Sequence, residues 1–331
     1  MTVEPPRIRP KMYPAPEFPP RRPKLFARVP PAAFPAVMGL FGLGLALRRA
    51  AEALQFTPAL PDLFLGGVSL LWVFCLVAYG AKLARRPSVL LEDLRVLPGR
   101  AGINALNLSG MLFAATLVPF SPDAARVILF AFLALHAALA LVMIRVLLAA
   151  PPEAREVTPV WHLSFVGFII GAVSAVPLGL TELATWILYG TIPVALGIYA
   201  ASLVQLVRRV PPAPLRPLLA IHLAPASLFT IVAASLGLGQ IALGFLVLAG
   251  VIVTALIFAA QWMTVSGFSP LWGAFTFPMA AFCSAMLALG FDITATFALI
   301  PAVGFIPFVA FRVMQAWAKG ALAAKTNAAE A

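Results

Sequence analysis

The sequence predicts an all-α membrane protein in which ten transmembrane helices pair into five helical hairpins arranged about an axis. Three observations predict it. Hydrophobic residues make up 62% of the 331 residues and charged residues only 11%, with a mean hydropathy of +0.99, a balance foreign to ordinary water-soluble domains. Apolar stretches of about twenty residues, the length of one bilayer crossing, recur ten times along the chain. These stretches also alternate in composition, small and polar residues in one and bulky apolar residues in the next.

The expected spans are 33–54, 62–84, 99–119, 123–149, 158–178, 182–206, 215–237, 239–263, 269–289 and 292–318. The first holds Gly39, Gly42 and Gly44, the third Asn104, Asn107, Ser109 and Gly110, and the seventh Ser227 and Thr230. In the fifth, Ser164, Gly167, Gly171 and Ser174 recur at spacings of three and four and form one stripe along a helix. Such a stripe serves close helix packing or the lining of a path equally well. Pro35, Pro177, Pro225 and Pro278 lie in odd-numbered spans, but the pattern is imperfect, since the sixth span also holds Pro193. The second, sixth, eighth and tenth spans are dominated by Leu, Val, Ile, Phe and Ala, as in LGFLVLAGVIVTALIFAA, and suit a lipid-facing position. Odd spans inside and even spans outside amount to a repeat of about 60 residues.

Charge sets the topology. Of the 23 Lys and Arg, all but Arg48, Arg49 and Arg126 fall on the side that carries both termini. Positive connections stay in the cytoplasm, so both termini are expected there, with the protein in a bacterial inner membrane. The chain divides into a basic, proline-rich cytoplasmic tail (1–32), a ten-helix body (33–318) and a C-terminal tail (319–331).

The net charge of +11 does not point to nucleic acid, because the basic residues sit in short clusters between apolar spans and no recognition motif accompanies them. Cys75 and Cys283 lie inside apolar spans as small packed side chains, without disulfide or metal-site spacing. Asn107-Leu-Ser109 has glycosylation spacing but lies within a span. Gly42 and Gly44 lack the strand and third glycine of a dinucleotide loop. No cofactor, no metal and no enzymatic activity are expected, since no nucleophile, base and acid assemble on a loop.

AFPAVMGLFGLGLAL, TPVWHLSFVGFIIGAVSAV, LLAIHLAPASLFTIVAAS and above all PLWGAFTFPMAAF resemble the tellurite-resistance/dicarboxylate transporter family, which includes the bacterial TehA proteins and the plant slow anion channels. The resemblance spans about 33–318. It implies five inner helices around a pore in each protomer, assembly as a homotrimer, and a phenylalanine that occludes the pore at mid-membrane. That residue falls on Phe277, followed by the helix-breaking Pro278.

The residues themselves narrow the cargo. No Asp or Glu lies in the central part of any span, so the usual device for binding Na⁺ or relaying protons is missing. A weakly polar path can pass anions that bind loosely and leave quickly. Candidate lining residues are Gly39, Gly42, Asn107, Ser164, Gly167, Gly171, Ser174, Pro225, Ser227 and Thr276. His162 and His222 could form an anion-attracting mouth when protonated, although a histidine satisfied by a neighbouring carbonyl is the commoner role. The leading expectation is an anion channel-like protein for small monovalent anions. Its alternatives are a carrier or exporter of malate-like four-carbon dicarboxylates or tellurite, and a membrane scaffold whose basic tail recruits lipids or partners.

Overall fold

The computed structural model describes residues 24–151 and 155–331. The basic tail expected over 1–32 therefore lies, through residue 23, outside the described residues. Those described form helices joined by short turns, with no strand among them.

After a 3₁₀ turn at Pro31–Ala33 come α1 (Phe34–Ala53), α2 (Ala59–Arg85), the short α3 (Val89–Arg95), α4 (Leu97–Leu117) and α5 (Pro122–Ala149). A π-helical turn at His162–Val166 leads into α6 (Phe168–Ala175), followed by α7 (Thr181–Arg208). A 3₁₀ stretch at Ala213–His222 enters α8 (Leu223–Ser235), then α9 (Gly239–Phe258) and α10 (Ala260–Thr264). A last 3₁₀ turn at Pro270–Trp272 opens α11 (Gly273–Ala288), and α12 (Asp292–Ala318) and α13 (Ala321–Lys325) close the chain.

Five of these helices pack in a closed circuit: α1 on α4, α4 on α6, α6 on α8, α8 on α11 and α11 on α1. Outside them each longer helix occupies a groove between its preceding partner and the next helix of the circuit. Thus α2 touches α1 and α4, α5 touches α4 and α6, α7 touches α6 and α8, α9 touches α8 and α11, and α12 touches α11 and α1. Burial follows the same division. The membrane-length windows of Pro31–Ala53, Ala213–Ser235 and Pro270–Ala288 are 83%, 78% and 61% buried, whereas those of α2, α5, α7, α9 and α12 are only 17–33% buried. The small residues of the odd spans explain this, since helices that approach closely on both flanks leave no room for long side chains.

Eight of the ten expected segments are long and apolar enough to cross a membrane. The other two form helices of a different character. α4 is long enough but carries Arg100, Asn104, Asn107 and Ser109, all buried, and the fifth segment is interrupted by its π turn.

Four of the five inner helices end alike on the side away from the termini. After α6, Gly179 adopts a left-handed φ of 76°, its N–H donates to Val176 O at 3.0 Å and that of Leu180 to Ala175 O at 2.9 Å. Gly237–Leu238 after α8 and Gly290–Phe291 after α11 repeat this double bond, and Gln55–Phe56 follows α1 with Gln55 at φ 59°. Such a cap satisfies the last carbonyls and turns the chain sharply back.

On the other side the first described residues and the C-terminal ones are part of the packed body. Ala27 and Val29, which the sequence places in the tail, are each 1% exposed. The N–H of Ala331 donates to Ala27 O at 3.0 Å, and Leu322 of α13 is fully buried. Beside them Lys82 and Asp93, both fully buried, pair at 2.8 Å. Lys82 Nζ also donates to Val29 O at 3.0 Å, and Asp93 accepts from Tyr79 Oη at 3.1 Å and from the N–H of Ala329 at 2.8 Å. This one ion pair ties α2, α3 and both chain ends together.

Candidate functional site: two apolar cavities divided by Phe277

Within the circuit of inner helices lie two small cavities. The outer one, about 40 Å³, opens among the first turns of the inner helices and is walled by residues such as Pro35, Pro98, Pro270 and Ala274. The inner one, about 20 Å³, lies among Leu108, Val166, Ile170 and Leu228. Five residues border both: Met38, Leu163, Ile221, Ala224 and Phe277. Phe277, 5% exposed, contributes the one aromatic ring to this dividing collar.

The ring is positioned by α1. A methyl group built on Gly42 would lie 2.9 Å from Phe277 Cδ2 and 3.2 Å from Ala280 Cβ, so the ring rests on bare backbone. One turn earlier, a methyl on Gly39 would lie 2.1 Å from Thr276 Oγ1. Thr276 is fully buried there and its hydroxyl donates to Gly273 O at 2.7 Å, with Pro35 O at 3.2 Å. Two glycines three residues apart thus seat two consecutive residues of α11. Pro278 continues α11 but has no N–H, which leaves the carbonyl of Ala274 without its helical donor. Ala274 and Pro278 both face the outer cavity.

The walls are apolar. Among the described residues bordering the two cavities, His162 is the only polar side chain. A space of about 20 Å³ has room for about one water. Apart from His162 the lining is hydrocarbon, so an ion entering it would lose most of its hydration without replacement.

Of the lining residues expected from the sequence, Gly167 and Pro225 border the inner cavity. The rest lie in helix contacts. Ser164 Oγ accepts from Asn104 Nδ2 at 3.0 Å, joining the π turn to α4. Ser174 Oγ donates to Met111 O at 3.0 Å, joining α6 to α4. Asn107 Nδ2 reaches Phe132 O of α5 at 3.3 Å. Ser227 bonds back to Leu223 O within α8 at 2.8 Å, and Gly171 packs against Leu133 of α5. Apart from Ser164, which accepts from an amide, these side chains donate to backbone carbonyls, because a buried donor costs energy wherever it lacks an acceptor. The aliphatic part of the collar, Met38, Leu163, Ile221 and Ala224, has no signal in the sequence that separates it from ordinary core.

The two histidines expected at a mouth do meet. His162 Nε2 lies 3.0 Å from His222 Nδ1, and His222 Nε2 lies 2.8 Å from Ser202 Oγ of α7. Tyr199 Oη donates to His222 O at 2.7 Å. His162, 2% exposed, borders the inner cavity, and His222 beside it is half-buried. The third histidine, His136, is fully buried on α5, and its ring meets Phe168 edge-on.

A search of curated proteins finds no match to this chain. A family model does: SLAC1, described as voltage-dependent anion channel, matches residues 28–318. The match begins where the chain becomes packed, at Arg28 and Val29, and runs to the end of α12. With eight apolar membrane-length helices among the described residues, this multi-pass membrane protein belongs to the SLAC1 family of voltage-dependent anion channels.

Proposed function

We propose that the chain conducts small monovalent anions through a pore at the centre of its five inner helices, and that the Phe277 ring closes this pore. The observation that carries the proposal is the position of the ring, which borders both cavities while its edge rests on Gly42. A ring at such a neck blocks ions sterically, and the aliphatic collar around it discourages water, so the closed state is a dewetted constriction. The absence of an acidic side chain from both linings, among the described residues, favours anions over cations.

In the full reading, ten helices cross the membrane as five hairpins, α4 being the less apolar crossing and the fifth segment a shorter, broken one. Their polar residues are shielded by neighbouring helices, the condition under which polar groups are tolerated at membrane depth. Both termini lie on the cytoplasmic side of a bacterial inner membrane, as the distribution of Lys and Arg indicates. Three copies assemble, each with its own pore, by similarity to the family. The protein performs no covalent chemistry.

The test is current through purified protein in planar bilayers with chloride or nitrate as the charge carrier. Phe277→Ala is expected to raise anion conductance by about tenfold or more, since it removes the one ring in the collar. A folded Phe277→Ala protein with no increase in anion current would overturn the proposal.

A further inference from the structure

The inner cavity has a polar connection that bypasses the ring. His162 stands in its wall, and from there the hydrogen-bonded series His162, His222, Ser202 runs outward at 3.0 and 2.8 Å. Ser202 borders a separate, wider cavity of about 410 Å³ near the end of α7, which Glu156, Arg208 and Arg209 also line. Three side chains therefore link a wide, charged cavity to a small, apolar one by a route that does not cross Phe277. At the inner end Nδ1 of His162 has no hydrogen-bond partner, although the residue is 2% exposed.

Each imidazole carries one donor and one acceptor when neutral, so the series has two self-consistent polarities. In one, Ser202 donates to His222 Nε2, His222 Nδ1–H donates to His162 Nε2, and His162 presents Nδ1–H at its unpartnered end. In the other, every bond is reversed and His162 presents a lone pair there. The two differ by the shift of one proton along each bond, with one proton gained at one end of the series and one lost at the other.

We propose that Ser202, His222 and His162 form a proton path around the Phe277 ring, so that anion movement through this site is coupled to protons. The coupling rests on the anion reading above; the path itself does not. Outward, a proton from the inner cavity binds His162 Nδ1, and the Nε2 proton passes to His222 Nδ1. The His222 Nε2 proton then passes to Ser202 Oγ, whose own hydrogen leaves to water in the wide cavity. The transfer starts from the second polarity and ends in the first; only N–H and O–H bonds form and break, one proton enters and one leaves, and reorientation of the side chains restores the second polarity. Inward, the same steps charge His162 behind the ring and supply the cation that the cavity otherwise lacks. An anion held there gains a partner in surroundings where an unpaired charge is costly.

The neighbours leave this series as the available route. From α7, Tyr199 approaches, its hydroxyl engaged by His222 O and its ring 4.8 Å from that of His162. From α5, His136 lies by Gly167, and neither of its ring nitrogens has a partner that would join it to the series. From α1, α4, α8 and α11 the inner cavity receives only apolar side chains. Arg216, on the same 3₁₀ stretch as His222, is directed to Pro211 O and Trp262 O instead.

The experiment uses the full chain in liposomes that trap a pH dye and a chloride-sensitive dye, with the membrane potential clamped by potassium and valinomycin. A chloride gradient is imposed, and proton and chloride movements are read together. Ser202→Ala and His222→Gln are expected to lower the ratio of proton to chloride flux by about tenfold or more, as the loss of a proton-transfer group does. Ser202→Thr, which keeps the hydroxyl, is expected to preserve the ratio, an outcome that a purely structural role of Ser202 would not produce. An unchanged ratio in both disrupting variants, or chloride flux without proton movement in the unsubstituted chain, overturns the path. Ser202-dependent proton movement without chloride flux supports the path and removes chloride conduction; absence of both removes both.

Discussion

Gly42 and Phe277 meet so closely that an added methyl at 42 would stand 2.9 Å from the ring's Cδ2. The ring's position is thereby set by the absence of a side chain on the neighbouring helix. Gly42→Ala is expected to push the ring from its seat and raise resting anion flux, by less than Phe277→Ala does, because the ring is displaced rather than removed. Chloride efflux from vesicles checks this. A flux equal to that of the unsubstituted chain would show that the ring does not depend on its seat.

Gly39 predicts stability rather than flux. A methyl there would meet Thr276 Oγ1 at 2.1 Å and the backbone nitrogen of Phe277 at 3.2 Å, so α1 and α11 must separate. Overpacking of this kind costs about 1–3 kcal/mol or more. Thermal unfolding of Gly39→Ala in detergent should show a lowered midpoint. In a double-mutant cycle Thr276→Gly should couple to it, since the two residues share one contact.

Ser174 separates packing from path lining. Its hydroxyl donates to Met111 O at 3.0 Å in a fully buried position. Ser174→Ala should destabilise by about 1 kcal/mol, the net worth of one such bond, and should leave the chloride-to-nitrate permeability ratio of the Phe277→Ala protein unchanged. A shifted ratio would place Ser174 in the path.

Lys82 and Asp93 should be the most sensitive pair at the terminal side. Each is fully buried, and each also engages a chain end. Asp93→Ala leaves an uncompensated buried ammonium and should cost about 3–5 kcal/mol. The double replacement Lys82→Met with Asp93→Leu should cost clearly less. Limited proteolysis of Asp93→Ala should also cut the last residues sooner, because the N–H of Ala329 loses its acceptor.

Much of this architecture is legible in one dimension. The division into inner and outer helices follows from residue size, as Gly39, Gly42, Gly167 and Gly171 on inner helices contrast with the Leu- and Val-rich α9. The turns at Gly179, Gly237 and Gly290 are legible in the same way, because glycine takes the left-handed backbone of a helix cap at little cost. Gln55 in the equivalent place after α1 shows that the motif tolerates another residue where the chain demands it.

The candidate site divides differently. Phe277 and Pro278 stand out because a proline within an apolar span is costly unless its surroundings compensate. Asn107, Ser164, Ser174 and Thr276 look, by type and spacing, as suited to a path as to an interface. Their rotation about the helix axis turns these side chains toward partners within about 3 Å, a backbone carbonyl for Asn107, Ser174 and Thr276 and the Asn104 amide for Ser164. His162, His222 and Ser202 lie on three separate segments, and Lys82 and Asp93 on two, so neither group has a local signature.

The sequence by itself determined that the chain lives in a bilayer, how its spans alternate, and which aromatic residue accompanies the helix-breaking proline. Hydropathy and side-chain size act locally and are therefore written residue by residue. Only the tertiary structure decided which face of each inner helix meets a cavity, that the cavities are walled by apolar side chains apart from His162, and that two histidines and a serine join across 60 residues of chain. Those outcomes depend on rotations and distances between helices, and these exist only once the circuit has closed.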